Sequence, residues 1–322
     1  MRTPMFIASL VLLAAAAFAA GPGRMAFEIA AGPVSGDLYI QGERLAGVVS
    51  HPPGLSRCAD PALCGPEGLI ATARATAGVA DGLLAIARGE IASAFAPADV
   101  AAAMRLSAGK GKQNQSRLRT IGLVGEETLF VVAASKGPVT SLRGLRNRWV
   151  GVGARGSRTR VAANALLAAA RLGPNDVRRA EVDGAEAAKL IQAKRLDAFI
   201  WIGAKLPAPL KTLIANGHAR IIPLDKGTVL RLTAARLGYT AVKKDDIDTV
   251  AVPVVWLADE KQSADIVFSV ARAAFEARNA ALLNPAQSDP SSLKLSQPPA
   301  DFVLPMHAGA ARLFAANGRA SN

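Results

Sequence analysis

The chain has 322 residues, 51% of them hydrophobic, 20% charged and 5% aromatic, with a formal net charge of +13. That is enough apolar material for two lobes of ordinary domain size. The positive charge raises nucleic-acid binding, but Lys and Arg are spread along the chain and only two Tyr and three Trp are available to stack on bases, which argues against it.

Residues 1–19 have the three-part pattern of a cleaved signal peptide: Arg2, an apolar run over 5–18, and the small-x-small site Ala17-Phe18-Ala19. The run is shorter than the roughly 20 residues that span a bilayer. No Cys stands at the cleavage site, so the mature protein is expected to be soluble and periplasmic. Cys58 and Cys64, the only cysteines, flank a Pro-containing loop. In an oxidising compartment they read as a local disulfide that pins a surface excursion. A metal site would need more ligands than the nearby His51.

In chain order, the pattern predicts a strand at 26–31, a turn at 32–36, a helix at 39–50, a strand at 69–75, a helix at 80–88 and a strand at 91–96. A longer β-prone stretch at 118–134 is interrupted at Gly125-Glu126-Glu127. After a short turn at Leu142 and Leu145 the alternation restarts, with strands at 149–153, 179–183 and 197–203 and helices at 157–172 and 185–195. Residues 207–216 and 219–224 continue it, followed by a helix at 228–237, a strand at 249–257 and a helix at 264–283. In the last of these, Ile266, Val267, Val270, Ala274 and Phe275 share one face. A Pro/Ser/Gln-rich linker at 284–301 precedes a short terminal segment. Short apolar strands alternating with helices predict an α/β fold with mostly parallel sheets covered by helices. The two long strands are natural crossings between lobes, with a ligand cleft between them.

The stretch Val150-Gly151-Val152-Gly153-Ala154-Arg155-Gly156-Ser157-Arg158-Thr159 turns from a strand into a helix. Glycines allow close backbone approach, and a helix N-terminus attracts an anion. It reads as an anion cradle for a small solute, with a purely structural helix cap as the alternative. A dinucleotide site also fits G-x-G-x-x-G. Against it, the best acidic candidate, Asp183, comes later than the spacing of about 20 residues such a site uses. The three histidines, His51, His218 and His307, are far apart, and neither G-x-S-x-G nor H-E-x-x-H occurs. No catalytic, metal or cofactor site is expected. The basic stretch at 110–119 reads as a solvated loop.

Motifs along nearly all of the mature chain resemble the TAXI family of TRAP-transporter solute-binding subunits. They are Gly32-x-x-x-Gly36-x-x-Tyr39-x-x-Gly42, Ser50-His51-Pro52-Pro53-Gly54 with Arg57-Cys58 and Cys64-Gly65-Pro66, and Ala98-Asp99-Val100. Further along come Gly156-Ser157-x-Thr159, Asp197-Ala198-Phe199, Gly203 with Pro207, residues 221–225, Thr249-Val250-Ala251-Val252 and Pro305-x-His307-x-Gly309-Ala310. The resemblance implies a type II periplasmic-binding-protein fold, with two lobes, each a mixed, mostly parallel sheet flanked by helices, joined by two hinge strands. Lobe 1 would comprise 25–127 with 251–322, and lobe 2 would comprise 128–250. It implies a monomer that captures a small organic anion (amino acid, dicarboxylate or keto acid) and passes it to an ion-gradient-driven TRAP permease. The implied contacts are Gly36, Tyr39, Asp99, Gly156, Ser157, Thr159 and Gly203.

Several positions depart from the family pattern. Leu38 replaces a Tyr, Gly78-Val79-Ala80-Asp81-Gly82 replaces G-S-V-x-N, Pro97 replaces a Gln, Ala92 replaces an Asp, and Arg158 takes the third place of G-S-G-T. A tyrosine-bearing segment before Thr249 reads as shortened to Lys243-Lys244-Asp245-Asp246. Arg155 and Arg158 are then candidates for charge-assisted contacts to a different solute. The alternatives are a periplasmic sensor or partner module without transport binding and, behind it, an enzyme on the same fold.

Overall fold

The computed structural model describes residues 23–34, 36–109, 113–285 and 293–320. The leader at 1–19 and the first three residues of the basic stretch at 110–119 lie outside these. No helix among the described residues is long and apolar enough to cross a membrane.

The first half begins with β1 (Met25–Ala30), α1 (Asp37–Val49), β2 (Leu69–Arg74), α2 (Val79–Arg88), β3 (Ser93–Pro97) and α3 (Ala98–Leu106). A long strand, β4 (Leu118–Ala134), leads into β5 (Trp149–Gly151), α4 (Arg158–Ala169), β6 (Arg178–Ala180), α5 (Gly184–Gln192), β7 (Ala198–Gly203), α6 (Ala208–Ala215), β8 (Ala219–Ile222) and α7 (Lys226–Ala234). The hairpin β9 (Thr240–Lys244) and β10 (Ile247–Asp259) returns the chain to the first half. There it ends in α8 (Ala264–Phe275), α9 (Ala280–Leu283) and α10 (Ala308–Ala320).

All ten strands join one mixed sheet in the order β2-β1-β3-β10-β4-β7-β5-β6, with β8 on β4 and β9 on β10. The local pairs within each half are parallel, as the βα alternation requires. Every antiparallel pair runs through β4 or β10. These two strands pair with each other from Leu118↔Asp259 to Thr128↔Ala251. Beyond that point they part, β10 pairing with β9 and β4 with β7 and β8. The two long strands are therefore the link between the halves.

Helices cover both faces. Phe27, Ile29, Leu45, Trp256 and Val270 pack α1, α8 and α10 onto the first half, and Phe130, Phe199, Ile191 and Leu210 pack α5 and α6 onto the second. The largest apolar cluster is continuous across both halves, joining Leu83 and Ile86 of α2, Ala101 of α3, Leu129 of β4, Leu166 of α4 and Leu232 of α7. A helix-facing glycine shows how tightly α1 seats: a Cβ on Gly42 would lie 2.8 Å from that of Ala31.

The structure differs from or adds to the sequence reading at several elements. β4 runs as one strand through Gly125-Glu126-Glu127, with Glu126 outward and Glu127 inward, and the irregularity there is a register shift beside Gly125 in its pairing with β10. The Ala-rich segment after β3 forms α3, which composition alone left unassigned. The segment before Thr249 carries β9, preceded by the buried Tyr239. The helix expected over 264–283 stops at Phe275, where Glu276 turns extended.

That break serves the disulfide loop. Cys58 and Cys64 are bonded and both buried, and they pin a loop whose Ala59 and Pro61 are exposed, the surface excursion expected from the sequence. The Asn279 side-chain amide donates to the Leu63 and Ala273 carbonyls at 3.0 and 2.8 Å, and its oxygen accepts from Arg57 at 3.0 Å. The loop is thus tied to the end of α8 as well as to itself. The terminal segment is a full helix, α10, lying on α8.

Candidate functional site

The glycine-rich turn forms between β5 and α4. Gly153 has φ +78°, and a Cβ there would stand 2.7 Å from Ser157 Oγ and 2.8 Å from Thr159 Cβ. Only glycine fits both the dihedral and the space. Ser157, in extended conformation, caps α4 by accepting the Arg160 N–H on its hydroxyl at 3.1 Å. The buried Thr159 packs under the turn, and Gly156, at φ +76°, lies on its exposed outer side. Asp183, the acid considered for a ribose, caps α5 by accepting from Ala185 and Glu186 N–H groups at 2.9 and 2.8 Å. Its carboxylate is committed to that helix.

The two arginines of the turn diverge. Arg155 projects outward and leans on Glu181, 3.3 Å away, while Arg160 reaches the same carboxylate at 2.7 Å. Hydrogen bonds from Arg160 hold Glu181 below the usual carboxylate range. Arg158 points inward. Its Nε donates to Glu127 at 2.6 Å and its Nη1 to Asp99 at 2.9 Å. Tyr239 Oη donates to the same Asp99 oxygen at 2.7 Å.

These four side chains come from four elements: α3 of the first half, the crossing region of β4, the N-terminus of α4, and the residue before β9. Asp99 is only 3% exposed, Glu127 13% and Arg158 15%. Burial pushes the Glu127 carboxyl up, with Arg158 only partly restoring it. Burial also works against the Arg158 charge, but Glu127 and Asp99 outweigh it and hold the guanidinium firmly protonated. Tyr239 is kept in its phenol form by burial and then by the charge of Asp99. One guanidinium nitrogen, Nη2, is buried without a hydrogen-bond partner. The carboxylates already satisfy the cation's charge but leave both N–H donors of Nη2 unused.

The other expected site residues lie on other elements, and among the described residues none of them contacts the Arg158 cluster through a hydrogen bond or ion pair. Gly36 is the N-cap of α1 and the half-buried Tyr39 lies on its first turn, packing against the first-half core. Gly203 ends β7, where a Cβ would press on the Trp201 ring at 3.1 Å. Just past it, Lys205 Nζ lies 3.7 Å from Asp37 of α1, a second ion pair from one half to the other. Gly238 approaches Ala98 so closely that an added Cβ would sit 2.7 Å from the Ala98 Cβ.

Sequence reasoning missed Glu127, Tyr239, Lys205 and Asp37. Glu127 had a usable signal: a carboxylate inside a 17-residue, mostly buried strand must find a cation. Among the described residues no group of three or more His, Cys, Asp or Glu side chains could hold a metal ion. Two surface cavities of about 410 and 400 Å³ lie elsewhere, one beside Arg88, Arg117 and Asp259, the other between α7 and the β9–β10 hairpin. Neither is lined by Asp99, Glu127, Arg158 or Tyr239.

Residues 29–318 match the model of the NMT1-like family, and the chain belongs to that family. Among solved structures, XAC2383 from Xanthomonas citri bound to chloride ion aligns with a TM-score of 0.58 over 90% of this chain and 99% of that one, at 9% identity. The same protein bound to ATP aligns at 0.57, over 90% and 98%, at 11% identity. A TctC solute binding protein from Polaromonas, without ligand, aligns at 0.53 over 91% and 96%, at 15% identity. At these identities the likeness is one of fold, a mixed sheet flanked by helices.

Proposed function

We propose that this member of the NMT1-like family is an exported, periplasmic solute-binding protein, whose residues 25–127 with 251–322 form one lobe and 128–250 the other. The lobes close on a small organic anion (amino acid, dicarboxylate or keto acid) and deliver it to a membrane permease, for which the TRAP type is the reading that the TAXI resemblance favours. One observation supports the binding role: ion pairs of opposite charge run from one half to the other, Asp99 to Arg158 and Asp37 to Lys205. A cleft between lobes joined by two strands, closing by a hinge on a ligand that touches both, is the working geometry of such a clamp. Glycine-turn backbone at the α4 N-terminus supplies an anion-favouring rim.

The test is mass spectrometry of small molecules released from the purified protein, followed by thermal-shift titration of each. A bound solute well above its Kd should raise the unfolding free energy by a few kcal/mol. Absence of any co-purifying molecule, together with no shift from a wide panel of organic acids, amino acids and phosphonates, would remove the binding role. A second reading, a periplasmic sensor or partner module, draws on a specific observation: the charges between the halves already satisfy one another. A neighbouring gene for a fused permease would favour transport, and one for a membrane kinase would favour sensing.

A further inference from the structure

The Arg158 cluster holds an unusual balance of charge. Asp99 and Glu127 place two carboxylates on one guanidinium, so the buried group carries one more negative than positive charge when all are ionised. An anionic solute approaching Arg158 would have to evict at least one of them, leaving a buried carboxylate uncompensated. The same contacts reach across the molecule: Asp99 belongs to the first half, Arg158 and Tyr239 to the second, and Glu127 lies where β4 passes between them.

We infer that Asp99 and Glu127 act as internal stand-ins for the solute, latching the halves together through Arg158 and excluding plain anions from that guanidinium. The inference rests on the two-lobed clamp proposed above, but concerns the solute-free protein. Arg158 is the bolt, Asp99 its seat in the first half, and Tyr239 steadies that seat by donating to the oxygen that Arg158 also uses. Lys205 and Asp37, both about half exposed, form a weaker outer contact between the halves. Nη2 of Arg158 is buried without a partner, so an acceptor oxygen of a solute reaches it only once the latch opens. The Asp99–Glu127 pair is thus a specificity element that narrows the anions proposed above to those that also carry a positive charge, as an amino acid does.

The test uses the full mature protein, stripped of solute by unfolding and refolding. Small-angle scattering gives its radius of gyration, and hydrogen exchange reports on 97–101, 157–160 and 238–241. The wild type should be compact, with protected amides in all three segments. The double variant Asp99→Asn/Glu127→Gln keeps side-chain shape while removing both charges, and should expand and lose that protection. Arg158→Lys, which keeps the charge but not the fork, should lie between them, guarding against a variant that merely fails to fold. Titration with succinate should show at least tenfold tighter binding to the double variant than to the wild type.

A solute-free wild type already as expanded as the double variant would overturn the latch, as would a double variant as compact and protected as the wild type. Equal succinate affinity would overturn the exclusion of anions. The clamp reading fails separately, by the lack of any bound or binding solute in the wild type, whatever the scattering shows.

Discussion

The two sides of one glycine turn show how differently the same chemistry can be used. On the outer side, Arg155 and Arg160 share Glu181, with the Arg155 side chain 86% exposed. On the inner side, Arg158 sits between Asp99 and Glu127 with all three largely out of water. Coulomb attraction in water is weak and easily screened, so an exposed pair contributes little. Inside, removing one partner strands the others in a low-dielectric setting, and the cost is large. Three arginines within six residues of sequence therefore differ in role because of where the backbone turn points them.

The comparison is broken most directly at Arg158. Arg158→Ala should lower the unfolding free energy by about 3–5 kcal/mol, the usual cost of stripping a partner from a buried ion pair. Chemical denaturation at neutral pH measures it. A loss no larger than that of a surface pair would mean that the inner cluster is as well hydrated as the outer one.

The next effect is a pH dependence. Burial holds the Glu127 carboxyl above its ordinary value, against the opposing pull of Arg158 and with the charge of Asp99 adding to the rise. The folded protein therefore binds a proton more readily at this site than the unfolded chain does. The stability from this group is fully present below the ordinary carboxylate range and is lost as pH rises through the raised folded value. Glu127→Gln should remove that contribution. The difference between wild-type and variant denaturation curves, taken from pH 4 upward, cancels the opposite slopes of exposed carboxylates such as Glu181, whose value is lowered. A flat difference would place Glu127 in solvent.

Much of this architecture could be read from residue pattern, because short apolar strands and amphipathic helices carry their own periodicity. The strands at 26–31, 69–75 and 197–203 and the helix ended by Gly89 appear within a residue or two of their expected places. The misses share a cause. Glu127 resembled a loop residue because local chemistry favours turning a chain at Gly-Glu-Glu, whereas a cation 31 residues later makes it an inward strand position. Tyr239 and Asp99 are 140 residues apart and meet only through the fold. Arg158 and Asp99 each stood out as candidates in the sequence, but their pairing did not, so the arginine suggested an open anion hook. Long-range pairing, not local propensity, decides whether a charge is free.

A smaller effect belongs to the turn itself. Ser157→Ala removes the hydroxyl that accepts the Arg160 N–H, and should cost about 1 kcal/mol, as loss of an N-cap does. Ser157→Asp should restore it, since a carboxylate caps as well and favours the helix dipole. If Ser157 instead serves a solute, both variants would weaken binding far more than they change stability. Binding titrations beside denaturation curves separate the two roles.

The smallest effect is the most diagnostic of the contrast. Arg155→Ala leaves Glu181 with Arg160, which already makes the shorter contact at 2.7 Å. The remaining pair keeps the carboxylate neutralised, and the deleted guanidinium was solvated in the folded and unfolded states alike. The denaturation midpoint should stay within error of the wild type at low salt and at high salt. If it moved only at low salt, the outer arginine would be acting through the long-range field of a strongly basic chain, whose formal charge is +13. If it moved at both, the outer side would be as structural as the inner one, and burial would no longer explain why two arginines of one turn differ.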